Sequence, residues 1–293
     1  MSTPTSLHLS RTDADVFVPD GVAIPSALAR VERLAVVAHQ DDAEWIGLHG
    51  ILSAFDGEPS FGAVVVTDGA GSPRGGPYAD VDDATMCTIR REEQRRAALV
   101  GRYALCVQLA HPSAAVRDPS NGDSTRDLVS ILRATAPRTV YLHAPTDRHE
   151  THVAVCVRTL EALRRVDRES GGRVRPERVL GVEGWGDLDW LAAQDRVALD
   201  VGARPHLVAA LVGVFDSQIE GGKRYDLAMR ARHVANATFG APREVDRCVA
   251  LALAVDLTAV ARDGGPDVRA LVDGLLERSA QGVRERLGRV HPS

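Results

Sequence analysis

Cysteine is scarce in this sequence, a long apolar run is missing, and positive charge is not in excess. The four cysteines, Cys87, Cys106, Cys156 and Cys248, lie far apart and form no CxxC pair. Neither a disulfide framework nor a thiolate zinc site is therefore expected, and the thiols read as buried and inert. No apolar stretch approaches the roughly 20 residues that a membrane span needs. The opening MSTPTSLHLSRTDADVF lacks the charged-then-apolar layout of a secretory signal, so a soluble, cytoplasmic protein is the expectation. A net charge of -5 and a pI near 6.1 offer no overall basic face, which argues against nucleic acid or anionic lipid as partner. Two chemical motifs are also missing: a glycine-rich turn after the first apolar strand, and the zincin spacing HExxH.

What is present suits a globular enzyme. With 293 residues, 44% of them hydrophobic and 26% charged, the chain can bury a full core. Short Val-, Leu- and Ala-rich runs at 33–38, 61–67, 104–109, 139–143 and 178–182 have the character of strands buried on both faces. Segments with helical spacing follow them at 42–55, 84–101 and 124–135, the last with an i, i+3, i+4 stripe of Leu128, Ile131 and Leu132. This β-α-β-α order predicts an α/β, Rossmann-like fold: a mainly parallel sheet with helices on both faces. Beyond 205 the pattern turns mostly helical and ends in 267–289, where Val268, Leu271, Val272, Leu275 and Leu276 mark one face. The Gly/Pro-rich pieces 69–77 and 117–123 read as loops within one domain spanning 1–293, with a core at about 33–200 and a helical part at about 205–293.

Two clusters carry chemistry. In RLAVVAHQDDAEW (33–45) a buried strand runs straight into His39, Asp41 and Asp42, which places them outside the carboxyl end of a parallel sheet, where such sheets put their ligands. In APTDRHETHVAV (144–155), a helix beginning near Asp147 would set His149 and His152 three apart on its first turn. A His/Asp pair from one strand end and a His from another supply two imidazoles and a carboxylate, a set that suits zinc with one position left for water. The residues alone leave a plainer alternative open: two D-x-x-E capping boxes, Asp41 with Glu44 and Asp147 with Glu150, and histidines that merely pack.

AHQDDAEW, then VVVTDGAG, then RREEQRRAA, then DRHETHVAV resembles the PIG-L/LmbE-like superfamily of zinc-dependent N-deacetylases, whose signatures run approximately AHPDDxE, TDG, RxxE and HPDH. The resemblance covers roughly 33–200, and GWGDLDWL, DSQIEGGKRYDLA and ANATFG further resemble one subgroup. Gln40 departs from the usual proline, and Glu150-Thr151 from the usual Pro-Asp. The resemblance implies His39, Asp42 and His152 as ligands of Zn2+ or another divalent metal. It implies Asp41 as general base and His149 as partner of the developing oxyanion, with Asp147 expected to orient His149.

Weaker candidates surround these. Asp68 in TDG and Arg90 in RxxE are expected to meet substrate, although a turn and a solvated helix face explain them almost as well. The loop 69–82 reads as a lid over a sugar, and Trp185 and Trp190 as stacking or core residues. His111, His143 and His233 have no assigned role, with His233 the first to test. The substrate that the resemblance implies is a small N-acylated amino sugar or glycoconjugate, and self-association into a homo-oligomer is left open. A rival reading, a nucleotide-binding α/β enzyme, lacks its phosphate cradle, because two carboxylates follow the first strand. A non-catalytic metal-binding relative is disfavoured by the presence of both Asp41 and His149.

Overall fold

The computed structural model describes residues 7–240 and 245–291. Eight strands form one sheet: β1 Asp15–Phe17, β2 Arg33–Val37, β3 Phe61–Thr67, β4 Leu105–His111, β5 Thr139–His143, β6 Arg178–Val182, β7 Val197–Asp200 and β8 Leu251–Asp256, in the spatial order β1-β4-β3-β2-β5-β6-β8-β7. The middle five, β4-β3-β2-β5-β6, are parallel. The outer strands pair antiparallel, β1 on β4 at one side and β8 between β6 and β7 at the other.

The expected strands are all present because their small and branched residues are buried alternately on both faces. Leu34 and Val36 of β2 point into one apolar layer with the helices Asp123–Thr135 and Glu150–Ser170. Ala35 and Val37 point into the other, against the helices Ala43–Ile46, Leu48–Ala54 and Pro205–Val212. Leu128, Ile131 and Leu132 are buried as their spacing predicts.

The structure differs from the sequence reading at four places. The expected helix over 42–55 breaks into two at Gly47, where a Cβ would stand 2.6 Å from the Phe61 ring and 2.9 Å from Ala35 Cβ. The largely helical C-terminal third is interrupted by β8, an apolar run too short for its periodicity to separate strand from helix. The terminal helix Val268–Val290 meets the core only through its first turns: Leu275 is buried, whereas Leu276 is half exposed. Of the four cysteines, all free, Cys106 and Cys156 are buried but Cys87 and Cys248 only partly so. Among the described residues, no helix is long and apolar enough to cross a membrane.

Candidate active site

From β2 the sheet order runs one way through β3 and β4 and the other way through β5 and β6. The crevice beyond the carboxyl ends of β2 and β5 is thus a topological switch point, the place where open α/β sheets leave room for a ligand. His39 follows β2, His143 ends β5, and Asp147, His149 and His152 follow β5. A cavity of about 590 Å3 opens there, lined among others by His39, Asp41, Asp42, Arg90, His149 and His152.

Three atoms converge. Asp42 Oδ2 lies 3.3 Å from His39 Nδ1 and 3.4 Å from His152 Nε2, and the two ring nitrogens are 3.3 Å apart. Ligand atoms held 2.0–2.1 Å from a tetrahedral centre stand about 3.3–3.4 Å from one another, so this triangle has the size that a zinc-type ion requires. Its orientation is enforced locally, since Asp42 Oδ2 also accepts the His39 backbone N–H at 2.8 Å. Burial opposes ionisation of Asp42, but His152, His143 and His39 outweigh it and hold the carboxyl well below its ordinary range.

A second group, His143, Asp147 and His152, is also close enough to share an ion. His143, however, takes the Ala38 backbone N–H on Nε2 at 3.0 Å, so that lone pair is used and the proton sits on Nδ1. Burial first, then His152, pushes His143 down to about 3, which keeps it neutral. Its ring stacks on His152 at 3.9 Å, making it a packing support for that imidazole. Sequence reasoning left His143 without a partner; its position as the last residue of a strand in the parallel core was the available signal.

Asp147 is built differently from the expectation. It accepts the backbone N–H of His149 at 2.9 Å and of Trp185 at 3.0 Å, and its Oδ1 faces His152 Nδ1 at 3.4 Å. It therefore addresses His152, not the His149 ring. Neither D-x-x-E capping box forms. The second helix starts at Glu150 with His149 as its N-cap, and His149 Nδ1 accepts the Thr151 N–H at 3.2 Å. The His149 proton is thus on Nε2. Burial, with His152 and His39, brings His149 down to about 4, so it is a neutral donor and not a cation.

Asp41 stands apart from the triangle. Its φ of 92° is the left-handed region, disfavoured for a residue with a Cβ, and its N–H is held by Gln94 Oε1 at 3.2 Å. Arg90 lies 3.4 Å from Asp41 Oδ1 and also donates to the Gln40 carbonyl. Burial raises Asp41 to about 7 against the pull of Arg90. Gln94 in turn donates to Glu44 at 2.9 Å, which also accepts from Tyr103 Oη at 2.5 Å; burial lifts Glu44 to about 8. Gln40 is buried, with Nε2 3.2 Å from Gln108 Oε1. None of this polar backing was visible in sequence, because its members are 40 to 70 residues apart.

The other candidates divide. Arg90 lines the cavity as the buried wall behind Asp41, not as a solvated helix face. Asp68 is not among the lining residues; its Oδ1 closes a turn on the Ala70 N–H at 3.0 Å. From the loop 69–82, Gly71, Ser72 and Pro73 line the cavity. Trp185 lines it too, while Trp190 packs on the core. His111 is paired with Asp127 at 2.9 Å, away from the site, and His233 packs edge-on against Trp45 with its Nε2 unpartnered.

This arrangement defines an α/β protein with a His/Asp cluster at its sheet switch point whose atoms are close enough to hold a metal ion. Residues 34–163 match the PIG-L family, described as GlcNAc-PI de-N-acetylase, the family that the motifs resemble. Among curated proteins, none matches the chain. Solved structures share the fold at low identity. A conserved protein from Thermus thermophilus is 20% identical with a TM-score of 0.60, covering 77% of this chain and 94% of its own. GalB, the 4-carboxy-2-hydroxymuconate hydratase from Pseudomonas putida, is 16% identical with a TM-score of 0.60, covering 78% and 96%. An N,N'-diacetylchitobiose deacetylase from Pyrococcus horikoshii is 16% identical with a TM-score of 0.53, covering 76% and 83%.

Proposed function

We propose that the chain is a metal-dependent hydrolase that removes an N-acyl group, acetyl foremost, from an amino sugar or its conjugate. Because one structural neighbour is named a hydratase and another a deacetylase, the fold alone does not choose the reaction. The observation that carries the reading is the division of labour between adjacent acids: Asp42 turns to His39 and His152, while Asp41 turns to Arg90 and the cavity.

His39, Asp42 and His152 would hold the ion. When bound, a divalent cation of this kind polarises an acyl oxygen and acidifies a water. Asp41, poised near neutrality, accepts the proton of the attacking water on its carboxylate and delivers it to the departing nitrogen. Arg90 keeps that carboxylate aimed, and Gln94 Oε1 accepts the Asp41 N–H and fixes its backbone. His149 presents its Nε2–H to the acyl oxygen as negative charge gathers there.

The test is release of acetate and free amine from a panel of N-acetylated amino sugars by zinc-loaded protein. Asp41→Asn is expected to retain the metal and lose turnover by roughly 10²–10⁴, whereas Asp42→Asn loses the metal itself. No amine from any N-acetyl sugar would overturn the substrate class, and equal loss of metal in both variants would overturn the two assigned roles.

A further inference from the structure

Lys223 is the only lysine among 293 residues; the other 34 Lys/Arg positions are all arginine. This single ammonium is among the groups that line the candidate site. The two side chains differ physically. Guanidinium is a planar fork, whereas ammonium is a compact point charge with three rotatable donors, suited to meeting an anion from several directions.

Around the cavity stand Arg90, Arg117, Lys223, Arg224 and Arg232, against two acids, Asp41 and Asp42, which are already engaged with Arg90 and the imidazoles. The lining thus reverses the sign of the chain as a whole, which is -5. Arg224 is neutralised by Asp226 at 2.7 Å, and Arg232 donates to the Gly184 carbonyl. Lys223 is different: its ammonium rests over the Trp185 ring, 4.5 Å from Nζ to the centroid. That ring is 6.3 Å from His149, so Nζ stands no farther than about 11 Å from the imidazole.

The Lys223 backbone is braced, so the ammonium is presented without first ordering a loop. Its N–H donates to the Gln218 carbonyl at 3.0 Å, and its own carbonyl accepts from Tyr225 at 2.8 Å. The preceding short helix is tied down by Glu93, which accepts from Ser217 N at 2.7 Å and Oγ at 2.6 Å. Gly221 and Gly222 leave no room for a Cβ, which would meet the Ser217 carbonyl at 1.9 Å and Pro73 at 2.8 Å.

Resting on the deacetylase reading, we infer that the substrate carries an anionic substituent, a phosphate monoester or a carboxylate, and that Lys223 binds it on the Trp185 side of the cavity. The N-acyl end lies over the His/Asp triangle, the sugar lies beside Trp185, and the anion meets the ammonium.

The test measures binding of amine products, which cannot turn over, by calorimetry on metal-loaded protein: glucosamine, glucosamine 6-phosphate and muramic acid. At least one anionic ligand is expected to bind about tenfold or more tightly than glucosamine, the scale of a charge-assisted contact, with the preference shrinking as ionic strength rises. Lys223→Gln should abolish most of that preference and Lys223→Arg should restore much of it. Which of the two anions gains tells phosphate from carboxylate. Equal affinity for all three ligands, or a preference intact in Lys223→Gln, as direct binding of the anion to the metal would produce, overturns the inference. Hydrolysis of N-acetylated sugars, read separately, decides the deacetylase reading.

Discussion

Asp147→Asn tests which of the two His/Asp groups holds the ion. Asp147 is buried and makes three contacts: two backbone N–H groups, from His149 and Trp185, and His152 Nδ1 at 3.4 Å. Burial disfavours its charge, yet His152 and the His149 N–H overcome that and hold the carboxyl below its usual range. With this carboxylate facing Nδ1, His152 keeps its proton there and leaves the Nε2 lone pair directed at Asp42 and His39. Asparagine is nearly isosteric but has one acceptor where aspartate has two, so its amide nitrogen must face either the Trp185 N–H or both the His149 N–H and His152 Nδ1. The second arrangement favours the tautomer with a proton on Nε2, which blocks the ligand position. Loss of such an outer-shell carboxylate typically weakens metal affinity about 10–100-fold, or roughly 1.4–2.7 kcal/mol. Zinc affinity would be measured by competition with a chromophoric chelator, alongside Asp42→Asn and the wild type. A loss within that window, with a far larger loss in Asp42→Asn, supports the triangle. A loss in Asp147→Asn as large as in Asp42→Asn would make Asp147 a ligand and move the ion to the His143 group; an unchanged affinity would refute the tautomer argument.

Two further outcomes concern the fold around the site. His233, which burial pushes down to about 4, stays neutral in the folded state while its unfolded counterpart protonates near 6.5. The unfolded chain therefore binds more protons across that window, and stability falls as pH drops from 6.5 to 4, by about 1.4 kcal/mol per unit and roughly 3 kcal/mol in all. His233→Phe should flatten that part of the wild-type curve in denaturant unfolding at several pH values, and an unaltered slope would contradict it. Gly47→Ala forces a methyl to within 3 Å of Phe61 and Ala35, so a cost of about 1–3 kcal/mol is expected by chemical denaturation; a neutral effect would mean that the break between the two helices absorbs the methyl freely.

What local chemistry could announce was legible in the chain. The five central strands follow from runs such as FGAVVVT, whose residues suit burial on both faces, and the place of His39, Asp41 and Asp42 follows from their position directly after one of them. The ligand triangle was proposed from motifs separated by over a hundred residues, and the geometry brings those three atoms to 3.3–3.4 Å. Short-range patterns failed where pairing is long-range: β1 and β7 are three and four residues long, and β8 takes its identity from the strands on either side of it.

Tertiary structure alone decided how the charges behave. Residue types do not reveal that Asp41 sits at positive φ against Arg90 and Gln94 while its neighbour Asp42 faces two imidazoles, and burial and charge then drive two identical carboxyls in opposite directions. Nor do they reveal that His143 spends its lone pair on Ala38, or that Asp147 serves His152 and not the ring of His149. Composition determined that a globular α/β chain would form and that basic residues would be almost entirely arginine. Only the packing of the 216–223 segment against the loop 69–82 could put the one lysine in the cavity lining, because the position of an ammonium relative to a site depends on contacts between segments more than a hundred residues apart.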